Sequence, residues 1–193
     1  MVNQDQDIIT YFNKIDRGFF MDTHKEFSYL DEAIPIGHEQ TISQPSLVLK
    51  MTLALHLQPH SKVLEIGTGS GFQTALLSAF SNAVYTIERI EPLHERAKER
   101  LAEAGFSNIH FKLEDGSTGW EEYAPFDCIM VTAAAAQVPP ELTEQLALNG
   151  RMVIPVGTPH LQELLLIEKD RDGKIHTVVL DHVRFVPLKG IYE

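Results

Sequence analysis

Three glycines at alternate positions give the first chemical signal: Val63-Leu64-Glu65-Ile66-Gly67-Thr68-Gly69-Ser70-Gly71 runs an apolar stretch into a turn almost bare of side chains. Main-chain groups there can approach a ligand closely, and in open parallel sheets the crevice beyond the strand ends is the usual ligand site. Taken alone, the same residues are a tight strand-to-helix turn. A dinucleotide fingerprint would place its last glycine at position 72, where Phe72 stands, and no Gly-x-x-x-x-Gly-Lys-Ser/Thr loop occurs. Nicotinamide, flavin and nucleoside triphosphate chemistry are therefore disfavoured. S-adenosylmethionine is the remaining common ligand of a Glu-x-Gly-x-Gly-x-Gly turn.

Two carboxylates extend this reading. Glu88, about twenty residues beyond Gly67, closes the next apolar run, where a carboxylate can accept hydrogen bonds from both hydroxyls of a ribose. Asp115-Gly116 follows the third run, where the carboxylate suits an adenine amino group and the glycine leaves room for the ring. Alone, Asp115 would be a turn residue. Ser43, before Gln44-Pro45, likewise reads in isolation as a turn or capping serine, and no Gly-x-Ser-x-Gly elbow surrounds it.

The nine histidines form no ligand spacing, and His56 and His60 straddle Pro59, so no metal is expected. The single cysteine, Cys128, lies in an apolar run and reads as core filling rather than a nucleophile.

The elements that must position these residues follow from periodicity. Apolar runs predict strands at Lys62–Ile66, Ala83–Glu88, Ile109–Leu113, Phe126–Thr132 and Arg151–Val156. Helices are predicted at 72–80, 92–104 and 140–148, with Pro92 in a first turn and Gly105 and Asn149-Gly150 as stop signals. That alternation specifies an α/β fold, a doubly wound and mostly parallel sheet. Glu163–Lys169 and Lys174–Leu188, joined by Asp170-Arg171-Asp172-Gly173, read as a C-terminal β-hairpin. Upstream, a helix is predicted over 5–16, a loop over Thr23–Pro45 and a helix over 46–57. With no repeat or linker, the expectation is one domain: residues 1–60 as a helical and loop cap, 61–157 as the ligand-binding core, and 158–193 as the hairpin and a substrate strand.

The composition fits a globular domain: 193 residues, 44% hydrophobic and 22% charged, with a net charge of -11. That charge and the lack of a basic cluster argue against nucleic acid or an anionic membrane as partner. One cysteine permits no internal disulfide, and the acidic stretch Met1–Asp7 lacks a secretory pattern, so the cytoplasm is the expected location. A monomer is the default expectation.

At this point the sequence resembles the protein-L-isoaspartate O-methyltransferase family. The motifs are Pro35-Ile36-Gly37-His38-Glu39-Gln40-Thr41-Ile42-Ser43-Gln44-Pro45, Val63–Gly71, Asp115-Gly116, Phe126–Ala134, Ile154-Pro155-Val156-Gly157 and Phe185-Val186-Pro187-Leu188. The glycine turn is common to many methyltransferases, whereas residues 41–45 together with 185–188 look specific to this family. The likeness runs from about Arg17 to Gly190. Three positions depart from the pattern: Glu39 and Glu114 stand where the family usually has glycine, and Ser46 where a larger residue is common.

The resemblance implies a sheet of the S-adenosylmethionine-dependent methyltransferase type and methylation of the carboxylate of isoaspartyl residues in damaged proteins and peptides. S-adenosyl-L-methionine would be the cofactor and S-adenosyl-L-homocysteine the product. It assigns Thr41, Ile42, Ser43, Glu65, Gly67, Thr68, Gly69, Gly71, Glu88, Arg89, Asp115 and Gly116 to the cofactor. Ile42, Ser43, Val186 and Leu188 go to the substrate, and Ser43 matches the catalytic serine, as an orienter of the acceptor carboxylate. Two rival readings share the glycine turn, Glu88 and Asp115: a methyltransferase of another, small-molecule substrate, and a non-catalytic paralogue that only binds cofactor or peptide.

Overall fold

Strands buried on both faces form when helices cover both sides of a sheet, and the central runs of this sequence have that character. The computed structural model describes residues 4–191; Met1–Asn3 of the acidic N-terminus and Tyr192–Glu193 lie outside them. The elements, in order, are α1 (Gln4–Phe12), β1 (Ile34–Gly37), β2 (Gln40–Ile42), α2 (Pro45–Ala54), β3 (Lys62–Ile66), α3 (Phe72–Ala79), β4 (Ala83–Glu88) and α4 (Glu91–Glu103). They continue with β5 (Ile109–Leu113), β6 (Phe126–Val131), α5 (Pro140–Gln145), β7 (Leu146–Thr158), β8 (Leu161–Lys169) and β9 (Ile175–Val183).

One seven-stranded sheet has the order β5-β4-β3-β6-β7-β8-β9. The β5-β4-β3-β6-β7 ladders are parallel, and β8 and β9 pair antiparallel beyond them. From β3 the chain steps outward to β4 and β5, then returns to β6 on the other flank of β3. The crevice at the carboxyl ends of β3 and β6 is thus a topological switch point, where such sheets bind ligands.

Alternation along the strands splits the core. Leu64, Ile129 and Met152 point to one face with Leu142 of α5, while Val63, Cys128 and Val153 point to the other with Met51 and Leu77 of the helices. A third cluster joins Phe20, Ile34, Ile36 and Ile42 of the N-terminal segment to Phe72 and Leu76 of α3 and Leu101 of α4. The N-terminal segment thereby shares apolar packing with the sheet's covering helices.

Several expected boundaries move, each for a physical reason. The first helix stops at Phe12 rather than at position 16, because Asp16 caps the next short helix, Arg17–Phe20, accepting from Gly18 N–H at 2.8 Å. The expected loop 23–45 contains the β1–β2 hairpin. The helix expected over 140–148 ends at Gln145: Leu146 pairs with Phe126, and the Asn149-Gly150 stop signal belongs to the irregular start of β7, with Asn149 at φ +61°. β7 accordingly begins well before Arg151. The last strand does not run on to Leu188. It ends at Val183, where the buried Gln162 side chain accepts from Phe185 N–H at 2.6 Å and donates to its carbonyl at 3.1 Å. The chain then crosses the end of β6, with Ala134 donating to Val186 O and accepting from Leu188 N–H, both at 2.8 Å.

Candidate active site

Gly67 and Gly69 adopt φ +94° and +54°, conformations that side-chain-bearing residues rarely take. A side chain at Gly67 would also collide with the hydroxyl of Thr132, which donates to Gly67 O at 2.6 Å and ties the turn to the end of β6. Gly67, Thr68 and Gly69 line a cleft of about 670 Å³ at the switch point. Gly71, also left-handed, lies away from it: an added Cβ would sit 3.1 Å from Leu101, so its bareness lets α3 start against α4.

Glu88, at the end of β4, is 5% exposed and lines the same cleft. One carboxylate oxygen accepts from Gly69 N–H and the other from Ile90 N–H, each at 2.9 Å. Each oxygen retains acceptor capacity for a ligand hydroxyl. Arg89 is exposed at the rim. Asp115 caps the short helix Gly116–Thr118, accepting from Ser117 N–H at 2.9 Å and Ser117 Oγ at 3.0 Å, with Gly190 packed on its carboxylate. Gly116 lines the cleft, and the space a side chain would need is filled by Ile66 and Ile87.

Glu65 lies beneath the glycine turn rather than on the cleft. It is fully buried, with Oε2 accepting from Thr74 Oγ1 at 2.6 Å and Thr86 Oγ1 at 2.7 Å; Thr86 in turn meets Thr68 at 2.6 Å. Among the described residues Oε1 has no partner. Burial pushes the carboxyl from 4.5 up to about 8, against the two threonine hydrogen bonds and with help from the Glu88 charge, so the group is mainly neutral at pH 7. Between those two values the folded state binds more protons than the unfolded state, so this group's contribution to stability declines as pH rises. Glu65→Gln is expected to flatten that decline: across about pH 5 to 8 the variant should lose less melting temperature than the wild type in scanning calorimetry. Equal slopes would assign the decline to other groups.

Residues 41–43 and the C-terminal crossing line the same cleft. Thr41 is exposed, Ile42 is 2% exposed and Ser43 is half-buried, and all three line the cleft. The Ser43 hydroxyl has no hydrogen-bond partner among the described residues, and the N-cap position of α2 is Gln44, which makes no side-chain cap hydrogen bond. Half-buried Val186 and buried Leu188 face the cleft from the C-terminal crossing, two of their main-chain groups being taken by Ala134. At the mouth, the Lys50 ammonium spans from α2 to β9, donating to Leu180 O at 3.1 Å and Asp181 Oδ2 at 2.6 Å.

The three departures from the family pattern have distinct consequences. Glu39 and His38 form the β1–β2 turn with φ +59° and +53°, so Glu39 occupies a left-handed position where glycine would be unstrained, outside the cleft. Glu114 is exposed and ion-paired with Lys112, also outside it. Ser46 alone lines the cleft, accepting from Gln44 Nε2 at 3.0 Å.

Burial raises the Cys128 thiol to about 12, with the Asp127 charge adding to it, so no thiolate forms near neutrality. Among the described residues no group of three or more His, Cys, Asp or Glu side chains could hold a metal. Sequence reasoning missed Arg17, Asp31, Thr132 and Gln162. A lone arginine before Gly18-Phe19-Phe20-Met21 was the available sign that a cation is buried there.

Comparison with known proteins bears on this geometry. A solved Plasmodium falciparum β-aspartate methyltransferase, in complex with S-adenosyl-L-homocysteine, superposes with a TM-score of 0.80 at 26% identity, covering 98% of this chain and 92% of that one. The fold and its glycine-lined switch point are those of the S-adenosylmethionine-dependent methyltransferases. A Dictyoglomus turgidum protein-L-isoaspartate O-methyltransferase is 50% identical over 188 residues, 97% of this chain and 85% of the relative. Protein-L-isoaspartate O-methyltransferase 2 of Polaromonas sp. is 47% identical over 188 residues, 96% and 89% of the two chains. With the family profile matching residues 1–192, the chain belongs to the protein-L-isoaspartate(D-aspartate) O-methyltransferase family. It is an S-adenosylmethionine-dependent carboxyl methyltransferase.

Proposed function

We propose that the cleft transfers a methyl group from S-adenosyl-L-methionine to the carboxylate of L-isoaspartyl residues in damaged proteins, with Ser43 aiming that carboxylate. The observation that carries the assignment is the Ser43 hydroxyl, unengaged and half-buried, in one cleft with Gly67, Gly69 and Glu88. The cofactor fits the residues present. Gly67 and Gly69 form a cradle that a side chain would fill, and Glu88 presents a fixed carboxylate for the ribose. Thr68, Arg89 and Gly116 complete that wall, while Glu65, Gly71 and Asp115 support it from behind.

When bound, S-adenosyl-L-methionine supplies a methyl group on a positively charged sulfur, and its loss leaves S-adenosyl-L-homocysteine. Ser43 donates to one oxygen of the acceptor carboxylate and leaves the other facing the methyl donor. An anion and a cation become neutral, so Ile42 and Leu188, which exclude water, favour the reaction. Positioning supplies the rest.

No residue has to remove a proton, because a carboxylate with a pKa of roughly 4 is already ionised. Turnover is therefore expected to be level from about pH 6 to 7.5 in a steady-state profile. An ascending limb near pH 6.5, with the protein folded throughout, would point to a histidine base and against this mechanism.

Methyl-labelled S-adenosylmethionine with two matched peptides, one aspartyl and one isoaspartyl, tests the function directly. Label should enter the isoaspartyl peptide alone. Transfer only to non-peptide acceptors would favour a small-molecule methyltransferase, and cofactor binding without any transfer a non-catalytic paralogue. The same reading treats the chain as one domain whose residues 1–60 cap the acceptor side, and as a monomer acting in the cytoplasm on isoaspartyl proteins. Among the described residues no helix is long and apolar enough to cross a membrane.

A further inference from the structure

Arg17 is 5% exposed, and all of its hydrogen bonds go to main-chain carbonyls. Nη1 donates to Ser28 O at 3.2 Å and Leu30 O at 3.0 Å; Nη2 donates to Glu32 O at 2.7 Å, Ile42 O at 3.3 Å and Ser43 O at 3.0 Å. The planar fork of an arginine can hold several such acceptors at once, which a lysine ammonium cannot reproduce. Exposed Asp31 holds the residues on the other side of Ser43, accepting from Ser46 N–H at 2.8 Å and Gln44 Nε2 at 3.0 Å.

The two carbonyls that Arg17 holds beside the cleft are those of Ile42 and Ser43. Because a peptide unit is planar, fixing the Ile42 carbonyl fixes the plane before Ser43, and fixing the Ser43 carbonyl fixes the plane after it. Both backbone dihedrals of Ser43 are thereby set, and with them the direction of its Cα–Cβ bond. We propose that Arg17, assisted by Asp31, is a positioning residue for methyl transfer: the pair orients the peptide planes around Ser43 so that its hydroxyl points at the acceptor carboxylate. The inference rests on the assignment of Ser43 above.

A misplacement of about 1 Å can cost on the order of a hundredfold in rate. Arg17→Lys, which keeps the charge and loses the fork, is expected to lower kcat on an isoaspartyl peptide by about ten- to a hundredfold. The peptide KM and the calorimetric Kd for S-adenosylmethionine should stay within about threefold, since uniform binding is not what the clamp supplies. In a Ser43→Ala background the same substitution should cost almost nothing more, because there is no hydroxyl left to aim. Wild-type kcat in Arg17→Lys overturns the proposal. So does an equal fractional loss in both backgrounds, or a loss of cofactor affinity that parallels the loss of kcat.

Should Arg17→Lys fail to fold, Asp31→Ala, at an exposed position, is read through the same cycle; additivity with Ser43→Ala overturns the proposal equally. Wild-type turnover in Ser43→Ala alone is a different failure, since it removes the assignment on which the inference rests.

Discussion

Ser43→Ala is expected to lower methyl transfer to an isoaspartyl peptide by roughly ten- to several-hundred-fold, the equivalent of losing a hydrogen bond to a charged group of about 1.5–3 kcal/mol. The fold should be indifferent to the change. Among the described residues the hydroxyl bonds to nothing, and the backbone of Ser43 is held through its carbonyl by Arg17 at 3.0 Å, a contact that alanine keeps. Cofactor affinity should also be unchanged on the proposed assignment, because the glycine turn and Glu88, which hold the cofactor there, make no hydrogen bond to the Ser43 side chain among the described residues. A serine that merely ordered the turn before Pro45 would give the reverse pattern, a lowered melting temperature with normal turnover by the folded fraction. Initial rates, a thermal melt and a calorimetric titration on one preparation separate these outcomes. Wild-type rates in Ser43→Ala would mean that the catalytic centre has been placed wrongly.

Glu88→Ala is expected to weaken S-adenosylmethionine binding by about one to two orders of magnitude, from the loss of charge-assisted hydrogen bonds of roughly 1.5–3 kcal/mol. The structure adds a second route to that loss. The same carboxylate organises the turn by accepting from Gly69 and Ile90 N–H, and its removal strands both donors at a nearly buried site. Some loss of thermal stability should accompany the loss of affinity. Glu88→Gln, which keeps one acceptor oxygen, should fall between the wild type and alanine. Titration calorimetry reads all three proteins, and an unchanged dissociation constant in folded Glu88→Ala would take Glu88 out of the cofactor site.

The glycine turn and Glu88 were legible in the sequence because their signals are local. A continuous apolar strand, a glycine turn and a carboxylate one strand later are each encoded within a few residues, and the parallel sheet then sets them side by side. The part of the cleft lined by residues 41–43 and 186–188 was legible only through resemblance. Ile34, Ile36 and Ile42 show the buried alternation of a hairpin, but Pro35 and a turn of two left-handed residues, neither of them glycine or asparagine, obscure it. Arg17 was invisible for a deeper reason: its partners are carbonyls, which every residue has, so no pairing of side-chain types announces the clamp. Asn149-Gly150 misled in the opposite sense. A left-handed asparagine before glycine commonly ends a helix, yet here it belongs to β7, and only the pairing of Leu146 with Phe126 decides between the two.

The crossing of residues 185–188 over β6 sets how the enzyme comes apart. This segment is not a strand of the main ladder; two hydrogen bonds with the Gln162 side chain, two with Ala134, the packing of Phe185 on the core and the buried Leu188 side chain attach it. Its detachment is expected to cost the free energy of a short local opening rather than that of dissolving the seven-stranded sheet. Val186 and Leu188 would then leave the cleft while Glu88 keeps its hydrogen bond to Gly69, and on the proposed assignment that partly opened state would hold its methyl donor with nowhere to seat a damaged protein.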